Sequence, residues 1–180
     1  MPEQKKICHL NSGFLLGAAT GYDNETVRKL VWQLKYWGRA GNGVILGRLL
    51  TDYAKTLAAD FSNYLVIPVP LSQKRMRARG FNQAELIAGA LAKNLNLRMA
   101  SDALIRQKDA PAQAELPDWL SRRQNISGCF GIADPSAIKN KNIVLIDDVF
   151  TSGATMSEAV HELKDFGAKK IIGLVVAKAG

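Results

Sequence analysis

Apolar positions follow two different rhythms along this chain. Between residues 23 and 37, Val27, Leu30, Val31, Leu34 and Trp37 recur at intervals of three and four, which predicts an amphipathic helix halted by Gly38, with Trp37 on its core side. A second such stripe, Leu46, Leu49, Leu50, Tyr53 and Leu57, predicts a helix over 44–59 that pairs with the first. The first twenty residues show neither rhythm and read as irregular. The texture then changes. Tyr64, Leu65, Val66 and Ile67 form a short apolar run closed by Pro68-Val69-Pro70, as in a buried strand, so the basic stretch 72–80 reads as a loop leaving a strand end. Asn82 is placed to cap a helix reaching about residue 94, with Glu85 as capping-box partner and Phe81 and Leu86 as a staple. Residues 104–106 suit a short strand. The stretch 107–125, with two prolines and mixed charge, reads as a long loop of the kind that carries function.

The C-terminal third is the most regular. A strand over 142–146, an acidic and then small-residue loop over 147–154, a helix over 155–166 capped by Gly167 and a strand over 171–176 make a right-handed parallel unit. Strands this continuously apolar are covered on both faces. The fold class is therefore α/β: a mostly parallel central sheet with helices on both faces. Residues 1–60 form an N-terminal helical segment and 61–180 the core.

Composition adds limits. At 180 residues and 47% hydrophobic, the chain can bury one substantial core. No apolar run reaches the roughly 20 residues of a membrane helix, and residues 1–10 are too polar for a secretory signal, so a cytoplasmic protein that does not span a membrane is expected. Cys8 and Cys129 lie too far apart for zinc-ligand spacing and are read as thiols. The net charge of +8 suits an anionic partner. Its densest cluster is Lys74, Arg75, Arg77 and Arg79, with Arg122-Arg123 as a second pair. A solvated cationic face would show the same clustering, and so would a surface for single-stranded DNA.

Ligands of open parallel sheets sit beyond the carboxyl ends of the strands. There the segment 143–155, IVLIDDVFTSGAT, puts two carboxylates and then four small residues. Small residues admit backbone N–H groups close to an anion and a helix N-terminus favours it, so Thr151, Ser152, Gly153, Ala154 and Thr155 suit a phosphate, with three hydroxyls as added donors. Carboxylates repel phosphate. Asp147 and Asp148 must therefore face neutral sugar hydroxyls or a hard cation, and their burial in a structural ion pair would undo this reading. A Walker-type phosphate loop is absent.

This segment resembles the 5-phosphoribosyl-1-pyrophosphate signature of type I phosphoribosyltransferases: four hydrophobic residues, two acids, a spacer, then Thr/Ser-Gly-x-Thr. Lys35-Tyr36, Pro68-Val69-Pro70, the run Arg79-Gly80-Phe81-Asn82-Gln83, Gln113 with Leu116, Arg122 with Asn125, and Phe130 occur in the order seen in the ComF/GntX family, which includes competence-associated members. The resemblance thus spans nearly the whole chain. It departs at the N-terminus, where Cys8 alone stands for a cysteine-rich segment, and no metal is expected there.

The resemblance implies roles. Asp147 and Asp148 would engage the ribose hydroxyls directly or through magnesium, and residues 151–155 would hold the 5′-phosphate. Arg75, Arg77 and Arg79 would stabilise the departing pyrophosphate as the ribosyl centre becomes cationic, with Arg79 foremost. Arg122 would belong to a lid closing over the ligand, with Gln113 and Asn125. The acidic general base that some relatives carry in the phosphate loop is replaced here by Thr151. The N-terminal helices would be the hood that recognises the acceptor, where Trp32, Tyr36 and Trp37 could stack on an aromatic ring. His161, Glu162 and Asp165 read as surface charges. Two functions follow as alternatives: phosphoribosyl transfer to an acceptor the sequence does not name, or a non-catalytic accessory of DNA uptake that keeps the ligand site. Competence partners, single-stranded DNA and a homodimer stay open.

Overall fold

The computed structural model describes residues 8–9, 14–107 and 128–179. The elements run β1 (Cys8–His9), β2 (Leu15–Gly21), α1 (Glu25–Tyr36), α2 (Gly41–Lys55), β3 (Tyr64–Pro68), α3 (Gln73–Arg79), α4 (Gln83–Leu95), β4 (Arg98–Met99) and β5 (Leu104–Arg106). They continue with β6 (Phe130–Ile132), α5 (Pro135–Ile138), β7 (Asn142–Phe150), α6 (Ala154–Asp165) and β8 (Lys170–Lys178). Six strands form one sheet in the order β1-β2-β8-β7-β3-β4. Only the β1–β2 pairing in that sheet is antiparallel. A separate antiparallel pair joins β5 to β6. The expected α/β class is what the chain forms.

Pleating sorts the core strands onto two faces. Val66, Val144, Ile146, Leu174 and Val176 pack beneath α1, α2 and α4, while Ile67, Ile143, Leu145 and Val175 pack beneath α6 and the β5–β6 pair. Helices thus cover both faces, which is why β7 and β8 are apolar almost throughout. The helix α2 lies against α4 where Gly47 leaves no side chain; a Cβ there would come within 2.7 Å of the Ile87 carbonyl oxygen.

Four expectations are corrected. Residues 15–21 are not irregular: Leu16 and Ala19 are buried and β2 pairs with β8 in the main sheet, so tertiary pairing supplies what local periodicity did not show. The basic stretch after β3 is a helix, α3, capped by the Ser72 side chain, which accepts from the Arg75 amide, and closed by Gly80 in the left-handed region. The acidic pair lies inside β7, which pairs with β8 as far as Phe150, and not in a loop. Trp37 is exposed, beside Trp32 and Tyr36. Elsewhere the expected cap is present, Asn82 accepting from the Ala84 amide at the start of α4.

Candidate active site

Chain direction locates the site. From β3 the chain leaves through α4 to β4 on one side, whereas from β7 it leaves through α6 to β8 on the other. The connections diverge between two adjacent parallel strands, and such a switch point opens a crevice at their carboxyl ends. A cavity of about 370 Å³ lies there, lined among others by Lys35, Tyr36, Arg75, Arg79, Gln83, Arg106, Asp147, Asp148, Thr151 and Thr155.

The acidic pair forms one wall. Because β7 stays pleated through it, the two side chains continue the alternation of Ile143 to Ile146 and divide between the faces. Asp148 follows Val144 and Ile146 onto the α1 side, where the Lys35 ammonium in the last turn of α1 donates to its Oδ1 at 2.9 Å. The Asp147 carboxylate follows Ile143 and Leu145 and accepts the Asp148 amide at 2.8 Å. Burial and the neighbouring Asp148 charge push Asp147 up to about 7, against the opposing pull of Lys35, that amide and Arg106. For Lys35, burial favours the neutral form, but the Asp148 carboxylate outweighs it by charge and hydrogen bond, with help from Asp147, leaving the ammonium raised above its ordinary value. The condition set against the ligand reading is thus met by Asp148 in part and not by Asp147: the ion pair is real, and it forms cavity wall rather than closed core.

The turn after β7 is shaped for close backbone approach. Gly153 sits at φ 78° as the N-cap of α6, and no side chain caps that helix. A Cβ on Gly153 would also lie 2.5 Å from the Phe150 ring, so sterics and backbone both select glycine. Thr151 and Ser152 are exposed, Thr155 is half-buried and Ala154 is buried. A recess of about 30 Å³ lined among others by Asp147, Thr151, Gly153 and Thr155 joins this turn to Asp147.

The opposite wall is cationic and comes from the end of β3. The Arg79 guanidinium donates to Gln83 Oε1 at 2.9 Å and stacks 5.6 Å from the centre of the Tyr36 ring. Burial, then Arg75, lowers its pKa from the ordinary value, so an anion arriving there would relieve two crowded cations. With Oε1 committed to Arg79, Gln83 Nε2 is buried without a hydrogen-bond partner among the described residues, and Gln83 lines the same cavity. Asn82 fixes this corner, donating to the Val69 carbonyl at 3.0 Å.

Of the residues singled out from sequence, Asp147, Asp148, Thr151, Thr155, Arg75 and Arg79 line this cavity. Gly153 lines the recess, and Ser152 and Ala154 complete the turn between them. Arg77 points elsewhere: it is exposed and borders neither space. Arg122, Gln113, Leu116 and Asn125 lie outside the described residues. His161 is a surface residue, 3.2 Å from Asp165. Three cavity residues, Lys35, Tyr36 and Arg106, had no assigned binding role in the sequence reading beyond possible stacking by Tyr36. A polar Lys35 on the last turn of a helix carries no local sign that it meets an acid 113 residues away. Magnesium is testable against this donor set. Among the described residues no three potential ligands cluster, so a hard cation would find two carboxylates from the protein and would need its other oxygens from the ligand and water.

Fold and site together define a phosphoribosyltransferase-type domain. The sequence pattern of the phosphoribosyl transferase domain matches residues 82–180, more than half of the chain, and the chain belongs to that family. Its relatives carry the names expected of the ComF/GntX branch. The DNA utilization protein YhgH of Escherichia coli K12 is 32% identical over 147 residues, covering 79% of this chain and 63% of that protein. Competence protein F of Haemophilus influenzae is 33% identical over 107 residues, 59% of this chain and 46% of its own. Competence protein ComFC of Bacillus subtilis is 27% identical over 146 residues, 80% of this chain and 56% of its own. The chain therefore spans between about half and under two thirds of these relatives' length. In fold it is similar to the glutamine phosphoribosylpyrophosphate amidotransferase of B. subtilis, with a TM-score of 0.50 and 18% identity over 74% of this chain and 25% of that one. Among the described residues no helix is long and apolar enough to cross a membrane.

Proposed function

We propose that the cavity binds 5-phosphoribosyl-1-pyrophosphate and that the protein transfers its phosphoribosyl group to an acceptor, releasing pyrophosphate. One observation carries this reading: an acidic pair, a small-residue turn opening a helix, and two inward arginines line a single cavity at the carboxyl ends of β3 and β7. In that arrangement the turn 151–155 holds the 5′-phosphate through backbone N–H groups and hydroxyls, aided by the N-terminal end of α6. Asp147 and Asp148 accept from the ribose hydroxyls. Arg75 and Arg79 hold the pyrophosphate, and Gln83 Nε2 gains the acceptor it lacks. As the bond to pyrophosphate breaks, its growing negative charge meets cations already in place. A bound magnesium ion would neutralise part of that same charge, held by Asp147 and the ligand's oxygens. Tyr36 lines the cavity and is stacked by Arg79, which supports a reading in which its ring would meet a flat acceptor.

A second reading is favoured by Thr151, which offers no base in the phosphate loop, and by the relatives' names: a ligand-binding accessory of DNA uptake without turnover. One experiment separates the two. Calorimetry should show saturable binding of the pyrophosphorylated sugar, and a panel of nucleobases should elicit acceptor-dependent pyrophosphate release. Binding without release under any acceptor supports the accessory; absence of binding overturns both.

A further inference from the structure

The ion pair between α1 and β7 has chemistry that neither reading uses. Lys35 Nζ lies 2.9 Å from Asp148 Oδ1, with 23% of the lysine side chain and 9% of the aspartate side chain exposed. A divalent cation binds carboxylate oxygen at about 2.0–2.6 Å, so one seated on that oxygen would stand almost where the ammonium stands. Like charges this close, in a half-enclosed site, repel strongly. Asp147 alone offers too few oxygens, and no third acidic, histidine or cysteine ligand stands near among the described residues.

We propose that Lys35 is the resident counter-ion of the acidic pair, keeping divalent cations off the free protein until a phosphate-bearing ligand brings further oxygens and charge. Magnesium then enters with the ligand and not before it. The ammonium also holds α1 against the end of β7, so the N-terminal helices are tied to the charge state of the site. This inference shares the site with the phosphoribosyl reading but is tested without the sugar, so each can fail alone.

Manganese titration of the free protein, followed by electron paramagnetic resonance, is the test. Wild type and Lys35→Arg, which keeps the cation, should bind weakly, while Lys35→Met should bind at least about tenfold more tightly once the repelling charge is gone. Equal manganese affinity in wild type and Lys35→Met overturns the proposal. If the methionine variant does not fold, wild type still decides: the ¹⁵N ammonium resonance of Lys35 should be unmoved by magnesium alone. Its displacement at low magnesium overturns the proposal too.

Discussion

At the end of β7 the cavity wall comes from one unbroken segment, 147–155, in which acids are followed by small residues and a helix start. At the end of β3 it comes from four separate elements: Arg75 and Arg79 from α3, Gln83 from α4, Lys35 and Tyr36 from α1, and Arg106 from β5. The first wall is continuous, so its spacing survives into three dimensions. The second is assembled by the packing of elements distant along the chain: charge singles out Arg75 and Arg79 in the sequence, but nothing local joins them to Lys35 or Arg106. Sequence motifs therefore report the continuous wall of such a crevice better than the assembled one.

The comparison breaks most sharply on the continuous wall. Replacing Asp147 and Asp148 together by asparagine should weaken binding of the pyrophosphorylated sugar by about a hundredfold, since hydrogen bonds to charged acceptors contribute roughly 1.5–3 kcal/mol each; calorimetry measures it, with circular dichroism to show an intact fold. In the same segment, Gly153→Ala should destabilise the protein by roughly 2 kcal/mol in chemical denaturation, because a Cβ meets the Phe150 ring and the backbone stays at a positive φ.

On the assembled wall the effects are smaller and discriminating. Arg79→Ala should cost about tenfold in affinity for the pyrophosphorylated sugar, and Arg77→Ala on the same helix should leave it unchanged, as its exposed position requires. Equal losses at both would mean that general positive charge, not the cavity, governs binding.

The acidic pair also sets how stability depends on pH. Asp147 titrates at about 7 in the folded protein, above its ordinary value of 3.8, so the folded state holds its proton more tightly than the unfolded chain does. Stability is then greatest below about pH 4 for this group and declines as pH rises toward 7. Asp147→Asn should flatten that decline, by roughly 2–3 kcal/mol between about pH 5 and about pH 8 in denaturant midpoints.

Much of the fold was legible because its signals are local. The α1 stripe of Val27, Val31 and Leu34 is buried as periodicity predicts, and the run 143–146 is buried on both faces. The misreadings share a cause. Residues 15–21 carry two glycines and no strong alternation, and become a strand because β8 offers an edge. Charge is what residues 72–80 display along the chain, yet a serine cap, about two turns of helix and Gly80 satisfy their backbone while aiming two arginines inward. Trp37 belongs to the helical stripe but lies one position past α1, where it stays largely exposed against Trp32 and Arg39.

By itself, then, the sequence determined the α/β class, the small-residue turn that opens a helix and the presence of two carboxylates near a strand end, because each is written in residues that are neighbours along the chain. The tertiary structure decided how those carboxylates are used. Continuing β7 past Ile146 divides adjacent acids between the faces, and docking α1 on one of them gives Asp148 a lysine while both acids still line the cavity. The reason is geometric: pleating separates what the chain joins, and packing joins Lys35 to a residue that no sequence interval could connect to it.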